Sequence, residues 1–357
     1  MLIEPTSPKA GNGTDKSQTR KGGDYPDNPV LVEHWRGGNV ESQNRGAWAL
    51  VRSDGELIEG HGGFLEPVFA RSSTKALQAL PLIESGAADK FGFTSRELAL
   101  AVASHYGEPC HTEVVNALLK RLGLSTADLK CGIHRPTDPE ANRELWARKE
   151  EPSVLHNNCS GKHAAFLALA QQMGQEVGTY IEDGSRSQAA VKRTVFDLCG
   201  SDTAQFSVGI DGCSAPTFRM PLQDLALAFA RFANPEVLEE PRRKACERLA
   251  EAVALHPNLI GGSKNQICSA ISRVTGGRLF PKIGAEAVYV IGERGGGRAL
   301  ALKMDDGGKR GMHPMVLSLL RRFSLASSQE IDALSQWAAG PARNYAGLEV
   351  GRTKVIE

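Results

Sequence analysis

Ser72 and Lys75 are residues whose types and spacing could do chemistry. They lie in the stretch FARSSTKALQALPL, residues 69–82, which has the apolar spacing of a helix. Residues three positions apart share a helix face, and a helix N-terminus favours a developing oxyanion. A partly desolvated lysine beside another cation, such as Arg71, can lose its proton near neutral pH and then accept the serine proton. The spacing predicts a nucleophile and its base, although the same residues are also typical of a helix N-cap.

Two further segments add residues of the same kind. AVASHYGEP places Ser104, His105 and Glu108 where an apolar helix ends. FPKIGAEAVYV places Lys282 at the mouth of a strand, with Gly284 two residues later. A Ser-x-x-Lys helix start, a second serine and a late Lys-x-Gly strand follow one another in the order used by serine β-lactamases and penicillin-binding proteins.

A third group consists of thiols and an amine. NNCSGKH places Cys159 and Lys162 three positions apart near the start of a helix, and GIDGCSAP contains Cys213. A helix N-terminus and a nearby cation lower the pKa of a thiol, which favours metal ligation. His163 is a more usual zinc ligand than Lys162, so the residue types leave both open.

Composition excludes several classes of protein. The 357 residues carry a net charge of +1, and no basic run is interleaved with aromatic residues, so nucleic acid and anionic membranes are not expected partners. No stretch approaches the ~18 apolar residues of a transmembrane helix. The seven cysteines include no CxxC pair, so neither a disulfide framework nor a closed zinc finger is expected. Residues 1–28 are polar and rich in Gly, Pro and Ser, and we predict a disordered tail and a cytoplasmic location.

The elements that position these residues follow from the hydrophobic period. Strand patterns occupy residues 29–63 and 285–304, with tight turns at 53–55 and 295–297, and a helical period prevails from about 72 to 270. We therefore predict an α/β (α+β) fold and one domain, residues 29–357. Its antiparallel sheet combines N- and C-terminal strands, with flanking helices and an inserted helical lobe. Strands and helices do not alternate as in a Rossmann fold, and GERGGGRA is interpreted as a hairpin turn.

Six segments in this order resemble a known family: RSSTK, ASHYGEP, CGIHRP, NNCSGKHAA, GIDGCSAP and PKIGAEAVYV. They are similar to the motifs of the rhizobial-type bacterial L-asparaginase II family, and the similarity extends from about residue 29 to the end. The resemblance implies a β-lactamase-like serine amidohydrolase that forms a homodimer and hydrolyses the side-chain amide of L-asparagine.

Roles for individual residues come from the same resemblance. It implies two serine–lysine pairs, Ser72 with Lys75 and Ser104 with Lys282, in which Ser72 is the nucleophile and the second pair relays protons. It also implies a zinc ion bound by Cys159, Lys162 and Cys213 that tunes substrate binding.

Substrate contacts are assigned by side-chain chemistry. Arg71 can bind a carboxylate in a bidentate manner, and Glu108 or Asp211 can bind an ammonium group. Asn158 can bond either end of the substrate, and Asp211 and His163 can orient the zinc ligands or contact the substrate.

Three other functions stay open at this stage. A glutaminase shares the chemistry and differs by one methylene in its substrate. A serine β-lactamase shares the Ser-x-x-Lys and Lys-x-Gly layout but acts outside the cytoplasm. A non-catalytic zinc-binding amino-acid sensor would bind metal without turnover.

Overall fold

The structure is a computed structural model that describes residues 27–356. These residues form the following strands: β1 (Val30–Arg36), β2 (Asn39–Arg52), β3 (Leu57–His61), β4 (Pro67–Phe69), β5 (Ser207–Ile210), β6 (Pro216–Pro221), β7 (Leu279–Ile283), β8 (Val288–Glu293), β9 (Arg298–Met304), β10 (Pro341–Arg343) and β11 (Glu349–Val355). They also form the following α-helices: α1 (Lys75–Glu84), α2 (Ala87–Lys90), α3 (Ser95–Ala101), α4 (Pro109–Arg121), α5 (Pro139–Ala147), α6 (Ser160–Gln172), α7 (Arg186–Cys199), α8 (Leu222–Ala233), α9 (Arg242–Leu255), α10 (Ile267–Val274), α11 (Lys309–Arg322) and α12 (Ser328–Ala333).

The central sheet is antiparallel and combines both ends of the described chain. Its order is β10-β11-β1-β2-β9-β8-β7, and β3 pairs in addition with β2. β1 pairs with β11, with Val32 opposite Val355, and β2 pairs with β9, with Trp48 opposite Leu302. The predicted sheet of N- and C-terminal strands is confirmed, and so are the turns that join β2 to β3 and β8 to β9.

Helices cover the sheet because its central strands are apolar on both faces. β8 is buried along its whole length and β9 at every position after Arg298, which requires packing on both sides. α8 packs on β2, β8 and β9, and α11 packs on β1 and β9. Between β4 and β7 the chain forms the predicted helical lobe, in which α1 contacts α6, α7 and α9. The predicted α/β fold, with an antiparallel sheet flanked by helices and an inserted helical lobe, is therefore confirmed.

A second sheet and one further helix are among the features that the sequence analysis missed. A second, three-stranded sheet has the order β4-β6-β5. Its strands are short, and β6 begins and ends with proline, so they give no period of two. Helix α5 is the other, although Asp138 caps it and Pro139 occupies its first position, a pattern typical of a helix start.

Most of the predicted tail, residues 1–28, lies outside the described residues. Of its last two residues, Asn28 is buried and accepts a hydrogen bond from the Gly63 backbone at 2.7 Å. Within residues 27–356, none of the helices has both the length and the apolar character needed to cross a membrane.

Candidate active site

Ser72 lies in a tight turn and not in the helix that follows it. Arg71–Thr74 form a 3-10 turn, and α1 begins at Lys75. Arg71 has a φ of 52°, a left-handed conformation that is strained for a side chain of this size and is often found at functional sites. The Ser72 hydroxyl makes no hydrogen bond to Lys75 or to any other described residue, and Ser72 lines a cavity.

The end of β7 packs directly against this turn. A Cβ built on Gly284 would lie 2.6 Å from the Ala70 carbonyl oxygen and 3.3 Å from the Ser73 nitrogen. Glycine is therefore required for this close approach of two backbones. The strand end that carries Lys282 is fixed beside Ser72 for this reason.

Ser104 joins the two buried lysines. Its Oγ lies 3.0 Å from Lys75 Nζ and 2.8 Å from Lys282 Nζ, and its backbone nitrogen donates to the Ile260 carbonyl. Lys75 and Lys282 are at most 1% exposed. The four residues predicted to be catalytic therefore meet at one place, but Lys75 contacts Ser104 and not its sequence neighbour Ser72.

The two lysines differ in their hydrogen-bond partners and in their electrostatic environment. Lys75 Nζ has three acceptors, the Ala103 carbonyl at 2.6 Å, Ser104 Oγ at 3.0 Å and the Asn158 carbonyl at 3.4 Å, which matches the three protons of an ammonium group. Lys282 Nζ has Ser104 Oγ and the Ile283 carbonyl at 3.1 Å. Burial, and then the charge on Lys75, lower the pKa of Lys282 to about 7. Lys282 is thus the amine that can be neutral at physiological pH.

A cavity of about 430 Å³ opens onto both serines. It is also lined by Tyr106, Thr137, Asn158 and Gln266, and by Gly284, Ala285, Lys309 and His313. The sequence analysis identified Asn158 and missed Tyr106, Thr137, Gln266, Lys309 and His313. Tyr106 lies within the segment ASHYGEP, whereas Thr137, Gln266 and the α11 residues come from segments far apart in the sequence, so no local spacing connects them to the serines.

The predicted substrate residues Arg71 and Asp211 form an ion pair with each other. Arg71 Nε lies 2.6 Å from Asp211 Oδ1, and neither side chain lines the cavity. Burial alone would raise the pKa of Asp211, but the charges of Lys162 and Arg71 hold it below its usual value, so Asp211 is a carboxylate. The pair offers one positive and one negative charge next to the Ser72 turn.

Glu108 forms hydrogen bonds with the backbone and does not line the cavity. It is the N-cap residue of α4, and its Oε1 accepts a hydrogen bond from the Ser263 backbone at 2.8 Å. Glu108, Cys110 and His111 offer three possible metal-ligand atoms within 4.8 Å of one another. However, His111 Nδ1 already accepts from the Glu108 backbone, and burial raises the pKa of Cys110 to about 11. These bonds identify the group as a helix cap.

The predicted zinc ligands do come together. Cys159, Lys162 and Cys213 are all buried, and Lys162 Nζ lies 3.3 Å from Cys213 Sγ. A hydrogen bond with the Cys213 thiol, and then the charges of Lys75 and Lys162, lower the pKa of Cys159 well below its ordinary value although burial opposes them. Two thiols and an amine at one point are donors that zinc accepts, so the residues fit the ion. Burial lowers the pKa of Lys162, but the neighbouring negative charges raise it by more, so ligation must displace a proton.

Two histidine side chains support this region. His163 Nδ1 lies 2.7 Å from the Tyr180 hydroxyl, while its buried Nε2 has no partner among the described residues. Burial, and then Lys162, hold the pKa of His163 well below its usual value, so it is neutral. His134, in the CGIHRP segment, accepts a hydrogen bond from the Asn158 backbone at 2.8 Å and so positions Asn158.

Comparisons with solved structures give remote similarities. A β-lactamase from Mycobacterium bovis is 12% identical, with 78% of this chain and 94% of that chain covered and a TM-score of 0.42. A structure of Mglu in its tris and glutamate form is 13% identical, with coverage of 84% and 63% and a TM-score of 0.37. The D-alanine carboxypeptidase AmpC from Burkholderia cenocepacia is 12% identical, with coverage of 74% and 88% and a TM-score of 0.32.

A search of curated proteins found no significant match. The family described as L-asparaginase II matches residues 32–355, which include both serines, both lysines and the thiol cluster. The match covers nearly all of the described residues. The chain belongs to the L-asparaginase II family.

Proposed function

We propose that the protein hydrolyses the side-chain amide of L-asparagine to L-aspartate and ammonia through an acyl-enzyme. The observation that carries the proposal is Ser104, whose Oγ lies within 3.0 Å of two buried lysines. A buried lysine with a pKa of about 7 is a suitable general base at neutral pH. Membership of the L-asparaginase II family supports an amidohydrolase.

The lysines have different tasks in this proposal. Lys75 stays an ammonium group, since three acceptors surround it, and its charge polarises Ser104 and keeps Lys282 neutral. Ser104 donates its proton to Lys282 and can then accept another. Lys282, acting through Ser104, is therefore the base, a role that the sequence analysis gave to Lys75.

Ser72 is the proposed nucleophile because its hydroxyl faces the cavity without a hydrogen-bond partner among the described residues. Its Oγ attacks the amide carbon, and Ser104 and Lys282 take up its proton. The same proton passes to the leaving nitrogen when the C–N bond breaks. Water then hydrolyses the ester, with Lys282 again as the base.

Two backbone amides are suited to stabilise the oxyanion. The Ser72 and Ala285 nitrogens both belong to cavity-lining residues, and neither donates a hydrogen bond to any described residue. Unpaired backbone donors aimed at a developing negative charge are the usual device of acyl-transfer enzymes. The helix that starts at Lys75 adds a favourable dipole.

The Arg71–Asp211 pair, which adjoins the Ser72 turn but does not line the cavity in this structure, is proposed to recognise the amino-acid end of the substrate. An asparagine zwitterion carries an ammonium and a carboxylate, and the ion pair can exchange its internal contact for both. Arg71→Ala should raise KM for asparagine steeply, since a bidentate carboxylate contact is lost. An unchanged KM would remove Arg71 from the site.

Zinc is proposed to bind at Cys159, Lys162 and Cys213. When bound, it supplies a fixed positive charge that orders these side chains and tunes substrate binding. Asp211, 3.8 Å from Cys213 Sγ, connects this cluster to the substrate ion pair. His163 holds the neighbouring part of α6 through Tyr180.

The test is ammonia release from L-asparagine, with L-glutamine and a chromogenic cephalosporin as parallel substrates. Ser72→Ala and Ser104→Ala should each lower kcat by at least roughly a thousandfold. When residues act as one catalytic unit, the loss of one member costs about as much as the loss of all of them. Ser73→Ala is the matched control, since Ser73 only bonds the Ala70 carbonyl at 2.6 Å. Mass spectrometry of a trapped acyl-enzyme should place the aspartyl group on the peptide that carries Ser72.

Several outcomes would contradict the proposal. An adduct on Ser104 would transfer the nucleophile role to that residue. Preferential release of ammonia from glutamine would make the protein a glutaminase. The two substrates differ by one methylene, and a pocket discriminates such a difference by only ~1–3 kcal/mol of transition-state binding. Zinc binding without turnover of any substrate would indicate the amino-acid sensor.

A further inference from the structure

The active-site cavity is larger than asparagine requires. Asparagine has nine heavy atoms, and at the share of about 30 Å³ that a water molecule occupies in the liquid, it would fill at most about 270 Å³. The cavity measures about 430 Å³. Lys309 and His313, on α11, line the same cavity as the two serines.

The charge of this space is one-sided. No aspartate or glutamate lines the cavity among the described residues, whereas Lys309 does. Lys309 forms no ion pair with a described residue, although Asp305 and Asp306 are close in the sequence. His313 is partly buried and, because burial and the charge on Lys309 lower its pKa to about 4, it is a neutral hydrogen-bonding group. The space therefore suits an anionic group.

We propose that the protein also hydrolyses β-aspartyl amides of amino acids, in which the amide nitrogen carries a carboxylate that Lys309 binds. This inference rests on the proposed function, since it uses the same nucleophile and base. Asparagine releases ammonia, which gives Lys309 nothing to bind. A β-aspartyl amino acid fills the additional space and brings a carboxylate to it.

Water is the only co-reactant that the reaction needs. Ser72 Oγ forms a bond to the β-carbonyl carbon, and the C–N bond to the amino acid breaks. The leaving nitrogen takes the proton that Ser72 gave up, so a complete amino acid departs. Water then hydrolyses the aspartyl ester and restores the serine hydroxyl.

The test compares two probes that differ only in the carboxylate. β-Aspartylglycine carries it, and β-aspartylglycinamide has a neutral amide in its place. A hydrogen bond to a charged group contributes enough for the wild-type protein to prefer the acid in kcat/KM by roughly tenfold. Lys309→Met should abolish that preference, because a methionine cannot distinguish the two probes.

Arg310→Met is the matched control. Arg310 is the adjacent residue, loses the same charge and does not line the cavity, since it reaches toward Ser42 Oγ at 3.3 Å. It should keep the preference and the turnover of asparagine. A general effect of surface charge would change both variants alike, whereas a carboxylate contact changes only Lys309→Met.

The outcomes separate this inference from the proposed function. Turnover of asparagine without release of glycine from β-aspartylglycine overturns the inference alone. Release of glycine with the same acid-to-amide preference in wild type and Lys309→Met removes Lys309 from the site. Absence of turnover with asparagine and both probes defeats the proposed function and the inference together.

Discussion

Replacing Lys282 by methionine should stabilise the protein at neutral pH although it removes the proposed base. Lys282 is buried, and its pKa falls to about 7, mainly because burial disfavours its charge and further because Lys75 repels it. In the unfolded chain a lysine titrates near its ordinary value of 10.5. At pH 7 Lys282 is protonated in the unfolded chain but only partly protonated in the folded protein. This difference makes the free energy of folding less favourable.

The size and the sign of this cost follow from the two pKa values. Because the folded pKa lies below the unfolded one, the cost is complete below pH 7 and disappears above pH 10.5. One pKa unit corresponds to ~1.4 kcal/mol, so the cost is about 4 kcal/mol at pH 7 and about 2 kcal/mol at pH 9. Methionine avoids this cost but loses the bonds to Ser104 and Ile283, each worth about 1 kcal/mol. The net gain should be about 2 kcal/mol at pH 7 and close to zero at pH 9.

The assay is denaturant unfolding of both proteins at pH 7, 8 and 9. The difference in free energy of unfolding should shrink by about 2 kcal/mol from pH 7 to pH 9. Lys244→Met is the control, because its side chain is 76% exposed and the same exchange there removes a surface charge. A Lys282→Met difference that is independent of pH, or a destabilisation that grows toward pH 7, would refute the assignment of a neutral Lys282.

Three further predictions concern activity, metal and packing. The kcat/KM for asparagine should rise about tenfold from pH 6 to pH 8 as Lys282 loses its proton, and a profile that is flat in this range would contradict its role as base. Cys159→Ser and Cys213→Ser should each lower the zinc content measured by mass spectrometry of the intact protein, whereas Cys246→Ser, also buried, should retain it. Gly284→Ala should lower stability by roughly 2 kcal/mol and reduce kcat, because its Cβ would meet a backbone carbonyl at 2.6 Å; unchanged thermal unfolding would show that the turn can move away.

The contact between Lys75 and Ser104 shows where spacing misleads. The sequence places Ser72 and Lys75 on one helix face, but α1 starts only at Lys75 and Arg71 is left-handed. Arg71–Thr74 form a 3-10 turn, and the Lys75 amine bonds Ser104 Oγ and makes no hydrogen bond to Ser72. Periodicity predicts that a helix exists, whereas its first residue depends on turn geometry that one sequence does not encode plainly.

Glu108 illustrates a different limit. Its place among reactive residues in ASHYGEP suggested a substrate contact, yet it caps α4 and bonds Ser263. The following Pro109, at the first helical position, was a usable signal for a helix start. The hydrogen bond to Ser263 could not be predicted from the sequence, because Ser263 lies 155 positions after Glu108. The sheet, in contrast, was predictable because alternation and turns are local features.

Lys75 and Lys282 are difficult to explain as structural residues. Buried charges are normally paired, since removing an ion from water is expensive. Neither lysine forms a salt bridge with any residue in 27–356, and both converge on one hydroxyl with only backbone carbonyls as additional acceptors. An apolar side chain in place of Lys282 would make this core more stable, as the depressed pKa of Lys282 indicates. An arrangement that lowers stability in this way is typical of a catalytic site. The Lys282→Met comparison measures how much stability the lysine costs and whether activity depends on it.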